Sequence, residues 1–115
     1  MKINQLLVGI AISLSLTSCA PKMLYSWGNY DDTSYSYLKN SDENSVDRLT
    51  KTYRHIIENP NGTRQVVPPG VYADYGFILL QANKTEEGKA MLKKEIALYP
   101  ESKVFIDRVL NLFEK

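Results

Sequence analysis

The chain has 115 residues, of which 43% are hydrophobic and 23% charged, with 14 basic against 13 acidic side chains. That length supports one domain around one modest core and excludes two, and the balanced charge excludes the basic stripe of a nucleic-acid binder. One cysteine and one histidine exclude an intrachain disulfide and give no metal-ligand set, and no cofactor motif is present.

Lys2 is followed by an apolar run from Leu6 to Leu16, broken only by Gly9, Ser13 and Ser15. This reads as the hydrophobic region of a signal peptide, because a transmembrane helix needs roughly 20 apolar residues. The run ends at Leu16-Thr17-Ser18-Cys19, with two small hydroxyl residues ahead of the only cysteine. These four residues resemble the bacterial lipobox. The resemblance implies recognition of Leu16, Thr17 and Ser18 by the signal peptidase, cleavage after Ser18, and lipidation of the Cys19 sulfur, whose thiolate is the nucleophile. Each buried acyl methylene contributes about 0.8 kcal/mol, so two or three chains anchor the protein stably. Ala20 is not the aspartate that retains lipoproteins at the inner membrane, so the same resemblance implies the outer membrane, facing the periplasm. The chain then divides into a leader (1–18), a lipidated tether (19–29) and a helical domain (30–115).

Tyr25, Trp27, Tyr30, Tyr35 and Tyr37 make an aromatic segment holding four of the eight tyrosines and the only tryptophan. Asp31 and Asp32 can cap a first helix and complement its dipole, with Tyr35 and Leu38 on one face and an end near Asn40. Ser41 or Asp42 offers the next N-cap, and Val46, Leu49, Tyr53, Ile56 and Ile57 recur at helical spacing. Asn59-Pro60-Asn61-Gly62 ends this second helix. Thr63 to Val67 is the nearest approach to a strand, a single short piece without a partner.

Pro69 suits the first turn of a third helix, whose face carries Tyr72, Tyr75, Leu79 and Ala82. Asn83-Lys84 is a short joint, Thr85 a cap, and Glu86 and Glu87 fill the first turn of a fourth helix bearing Met91, Leu92, Ile96 and Tyr99. So short a joint predicts an antiparallel hairpin. Tyr99-Pro100 ends the fourth helix and Ser102 caps a fifth, where Ile106, Val109, Leu110 and Phe113 form an apolar stripe that Phe105 and Leu112 extend. The expected fold is all-α, a small bundle of about five helices.

Gly76 and Gly88, twelve positions apart on the two arms of that hairpin, with Tyr72, Leu79, Leu92 and Pro100 around them, resemble a tetratricopeptide repeat. The likeness covers one unit, Pro69 to Ser102; Glu95 stands where the repeat prefers a small residue, and Tyr72 where it prefers tryptophan. Over the mature chain, the lipobox, Tyr25-Ser-Trp-Gly-Asn-Tyr30, Pro68-Pro69-Gly70, Ala73-Asp74-Tyr75-Gly76 and Tyr99-Pro100-Glu101-Ser102 resemble a family of small bacterial lipoproteins known as a domain of unknown function. Members are encoded near a lipoprotein of the curli-secretion-channel type, and the resemblance implies a shared envelope assembly.

Tyr25, Trp27 and Tyr30 either offer a contact surface or close the open end of the core, and the high average burial of large aromatics favours the second. Asp31-Asp32 reads as a dipole partner rather than an acid pair. His55 lacks a second metal ligand and a motif around it, which leaves it a weak general base. The function expected is a non-enzymatic, lipid-anchored adaptor that binds an envelope protein, with Asp74 and Lys89 on the groove side of the hairpin. A purely structural lipoprotein, or an envelope hydrolase using His55, are the alternatives.

Overall fold

The computed structural model describes residues 20–115. The leader and the lipobox, with Leu16, Thr17, Ser18 and Cys19, lie outside the described residues. Five α-helices follow one another: α1 Tyr30–Asn40, α2 Glu43–Glu58, α3 Val71–Gln81, α4 Thr85–Leu98 and α5 Lys103–Phe113, with a 3₁₀ turn, Pro100–Ser102, leading into α5. Among the described residues there is no strand, and the fold is all-α as expected. Each helix packs on its chain neighbour, and the α3–α4 hairpin makes the most extensive interface.

Asn29 occupies the N-cap of α1 without a side-chain bond, so Asp31 and Asp32 do not cap; they sit in the first turn, where their charge faces the positive end of the helix dipole. Thr33 is buried, its hydroxyl donating to the Asn29 carbonyl at 2.9 Å, and Tyr30 and Tyr37 pack on the core. Tyr35 and Leu38 are exposed to solvent. At α2 the cap is Asp42: its carboxylate accepts from the Ser45 amide at 2.7 Å, while the Ser45 hydroxyl accepts from the Asp42 amide at 3.1 Å. This is a reciprocal capping box, and its first bond holds the Asp42 carboxyl below the usual range.

The central element is α3, apolar on two sides because it serves two cores. Val71, Tyr75 and Leu79 join Leu49, Tyr53 and Ile56 of α2 and Val67 of the loop. Leu80 turns the other way, onto Leu92, Ile106 and Val109. The helix begins two residues later than Pro69 suggests, at Val71, because Gly70 takes φ +90° in the preceding turn, a conformation open to glycine at little cost. Gly70 has no side chain with which to cap, and the cap arrives from α4 instead. Glu95, 2% exposed, accepts from the Gly70 amide through Oε1 at 2.7 Å.

Asn83, with φ +61°, ends α3 in a Schellman motif: its amide bonds the Leu80 carbonyl, and that of Lys84 bonds Leu79 at 2.9 Å. The chain re-enters a helix immediately, so Thr85 lies inside α4 and does not cap it. Ser102 fails to cap α5 for a related reason. The 3₁₀ turn already has helical geometry at that residue, and the serine hydroxyl turns back to the Tyr99 carbonyl at 2.7 Å.

Gly76 and Gly88 touch. A methyl on Gly76 would stand 2.9 Å from the Gly88 carbonyl oxygen, and one on Gly88 would stand 2.8 Å from that of Gly76. The small-residue pair therefore does what its spacing implied, bringing two helix backbones together.

On α5, Ile106 and Val109 are buried and Phe113 meets Phe77 edge-on at 6.0 Å. Phe105 and Leu112, expected to widen the buried stripe, are instead 64% and 72% exposed, because they lie on the face turned away from α3 and α4. Replacing either with serine is expected to change the unfolding free energy by no more than about 0.5 kcal/mol, read as an unchanged urea midpoint.

Candidate docking site

Residues 23–26, inside the segment read as a tether, run along the loop after α2. The Thr63 and Arg64 amides donate to the Met23 and Leu24 carbonyls at 3.0 and 3.1 Å, and the Ser26 amide donates to Asn61 at 3.2 Å. This supplies the partner that the short Thr63–Val67 piece lacked. Arg64 then donates to the Tyr25 hydroxyl at 3.1 Å, and its guanidinium lies 5.8 Å from the centre of that ring.

From this strip the aromatic residues enter the fold in a row. Trp27 lies 5.4 Å from Tyr30, Tyr30 lies 6.0 Å from Tyr53, and Tyr53 lies 6.1 Å from Tyr75, all tilted. Such pairs add about 0.5–1.5 kcal/mol each beyond area burial. The ladder ties the N-terminal strip to α1, α2 and α3, so these aromatics do close the end of the core. Tyr53 and Tyr75 are buried, whereas Tyr25, Trp27 and Tyr30 remain half-exposed. Met23, Tyr25, Trp27, Tyr30, Asp31 and Asn61 line a groove of about 700 Å³, with Met23 and Leu24 largely exposed beside it.

A second, smaller cleft opens between α1, α2 and α3. Tyr30, Tyr37, Leu49, Tyr53, Phe77 and Ile78 wall its 240 Å³, and Asp74 is its charged residue. Asp74 is itself solvent-exposed, and the apolar walls beside it raise its carboxyl above the ordinary range. The Tyr53 hydroxyl is in turn pushed far up, by burial first and then by the Asp74 charge.

The sequence profile of the domain of unknown function DUF4810 matches residues 24–109. The chain belongs to this family. No curated protein and no solved structure matches it. The span shared with the DUF4810 profile runs from Leu24 in the N-terminal strip into α5, and so takes in the second cleft, all of the first groove's lining but Met23, and the Gly76–Gly88 contact.

The other residues singled out in this DUF4810 chain are dispersed. Lys89 does not share a groove with Asp74; it pairs with Glu114, after α5, at 3.5 Å. Pro100 starts the 3₁₀ turn, next to Tyr99, whose hydroxyl donates to the Val67 carbonyl at 2.6 Å. His55 is exposed near the end of α2, its Nδ1 3.4 Å from the Asn59 side-chain nitrogen Nδ2. Among the described residues no three His, Cys, Asp or Glu side chains are grouped to hold a metal, and no helix is long and apolar enough to cross a membrane.

Sequence reasoning missed Tyr53 and Phe77 as cleft walls and Glu95 as a cap. For Glu95 a signal exists. A helix that starts after Pro-Pro-Gly has no capping side chain of its own, and a glutamate on the packed face of the next helix is the group able to supply one.

Proposed function

We propose that this DUF4810 protein is a lipid-anchored adaptor of the bacterial envelope, held by acyl chains on Cys19 at the outer membrane, facing the periplasm, and docking a second envelope protein without chemistry of its own. The observation that carries the reading is the groove of Tyr25, Trp27 and Tyr30, which opens beside the strip leading from Cys19. Half-exposed aromatics give large contact area with little rotamer entropy to lose, the character of interface hot spots. On the family resemblance, a lipoprotein of the curli-secretion-channel type is the first partner to look for.

Crosslinking in the protein's own envelope, followed by pull-down and mass spectrometry, tests this. A partner is expected with the wild type. It should be lost with Cys19→Ala and reduced at least tenfold with Trp27→Ala, the loss of one hot-spot side chain. The thermal midpoint of Trp27→Ala, measured alongside, separates docking from the aromatic ladder. If wild type and Cys19→Ala give the same background and no partner, the adaptor reading fails and a purely structural lipoprotein replaces it.

A further inference from the structure

The 240 Å³ cleft between α1, α2 and α3 is smaller than the roughly 300–1,000 Å³ of a small-molecule site. It is the size of one inserted side chain. Its walls are mostly aromatic and aliphatic, and its one charged group, Asp74, has no cation beside it. The ion pairs among the described residues are Lys51–Asp47, Lys89–Glu114 and Lys103–Asp107, all elsewhere.

The cleft therefore discriminates between occupants. An apolar side chain would satisfy the walls but cover the exposed Asp74 carboxylate without pairing it, which costs part of its hydration. A cation on an aliphatic stem satisfies both, the stem against Leu49 and Ile78, the head against Asp74 and the ring faces. Arginine suits this better than lysine, because its guanidinium is more weakly hydrated and stacks on aromatic rings. The rim indicates that the cation arrives on a protein. Leu38, which lines the cleft mouth, is 77% exposed, and a free small cation would leave it uncovered.

We propose that this cleft is the socket for an arginine side chain that a protein partner inserts between Tyr30, Tyr53 and Phe77 to pair with Asp74. The socket deepens the adaptor reading and rests on it, adding a second point of contact of defined chemistry beside the N-terminal groove.

Two arms test it on the full-length chain. In detergent, N-acetylarginine amide is titrated while the tyrosine ring resonances are followed, with N-acetylcitrulline amide as the neutral isostere. The arginine probe should shift Tyr30 and Tyr53 with a dissociation constant on the order of 1 mM, about 4 kcal/mol. The citrulline probe should bind at least tenfold more weakly, and Asp74→Asn should weaken the arginine probe to the same extent at an undiminished thermal midpoint. Equal binding of the two probes, indifference to Asp74→Asn, or no saturation by about 20 mM would overturn the socket. In the envelope, the crosslinked partner should be retained by wild type and lost with Asp74→Asn. A partner held equally by both overturns the socket and leaves the adaptor standing. Absence of any partner sinks the adaptor, and the socket for a protein's arginine falls with it even if the free probe binds.

Discussion

Gly88→Ala is expected to lower the unfolding free energy by about 2 kcal/mol and the thermal midpoint by roughly 10 °C. In an unconstrained helix the same change would stabilise by about 1 kcal/mol, because alanine has the higher helix propensity. Here the added methyl meets the Gly76 carbonyl oxygen at 2.8 Å and Leu80 Cγ at 2.8 Å. Leu80 can change rotamer, but the carbonyl belongs to a helix backbone and moves only if α3 moves. Overpacking of this kind costs about 1–3 kcal/mol, and the rigid partner puts it at the upper end. Gly76→Ala meets the mirror-image contact, 2.9 Å from the Gly88 carbonyl, and should behave alike. Because both methyls open the same interface, the double variant should lose less than the two single losses added together. Urea denaturation of the three variants measures this. A rise in midpoint for either single variant would mean that α3 and α4 stand further apart than described.

What could be read from the sequence was whatever depends on neighbours along the chain. Asp42 and Ser45 declare a helix start because a capping box is local, and Leu49, Tyr53 and Ile56 declare the buried face of α2 because no other face is apolar. Gly76 and Gly88 are legible for a similar reason: a glycine inside each arm of a helical hairpin marks a close approach. The fifth helix was harder. It is apolar on two sides, with Ile106 and Val109 on one and Phe105 and Leu112 on the other, and periodicity alone does not say which side finds a partner.

The contacts that define the clefts are non-local. Thr63 and Arg64 bond to carbonyls some 40 positions earlier in the chain, and Asp74 faces tyrosines contributed by α1 and α2. No spacing rule connects these residues. The shared hairpin suggests that Asp74 and Lys89 lie together, but α3 presents different sides to its two neighbours and the pair is split between them. Thr85 and Ser102 mislead in another way. A hydroxyl before an apolar run signals a cap only if the chain arrives in an extended conformation, and here it arrives from a Schellman turn and a 3₁₀ turn.

Glu95 supports the second large prediction. Glu95→Ala removes the acceptor at the start of α3 and leaves a space where one buried methylene and the carboxyl group stood, a loss of about 3 kcal/mol from the cap and the packing together. Glu95→Gln keeps an oxygen for the Gly70 amide and nearly the same volume, and should cost less than about 1 kcal/mol at neutral pH. The two differ further in their response to acid. Burial raises the Glu95 carboxyl above its ordinary value of 4.5, an effect that outweighs the Gly70, Ala73 and Tyr72 amides favouring the anion, and Asp74 pushes the same way. Between the unfolded and folded values the native state holds a proton that the unfolded chain has released, so stability falls as pH rises through that window. The contribution is fully present below about pH 4 and lost above the raised value. Subtracting the Glu95→Gln profile from that of the wild type isolates it. Asp74 titrates in both proteins in the same direction and Asp42 in both in the opposite one, and both largely cancel. The difference should decline as pH rises from about 4, with the wild type losing ground to the variant. A difference that grows with pH would show instead that the α3 amides hold Glu95 as a favoured anion, and would make its charge, rather than its shape and one acceptor oxygen, the feature that anchors the start of the central helix.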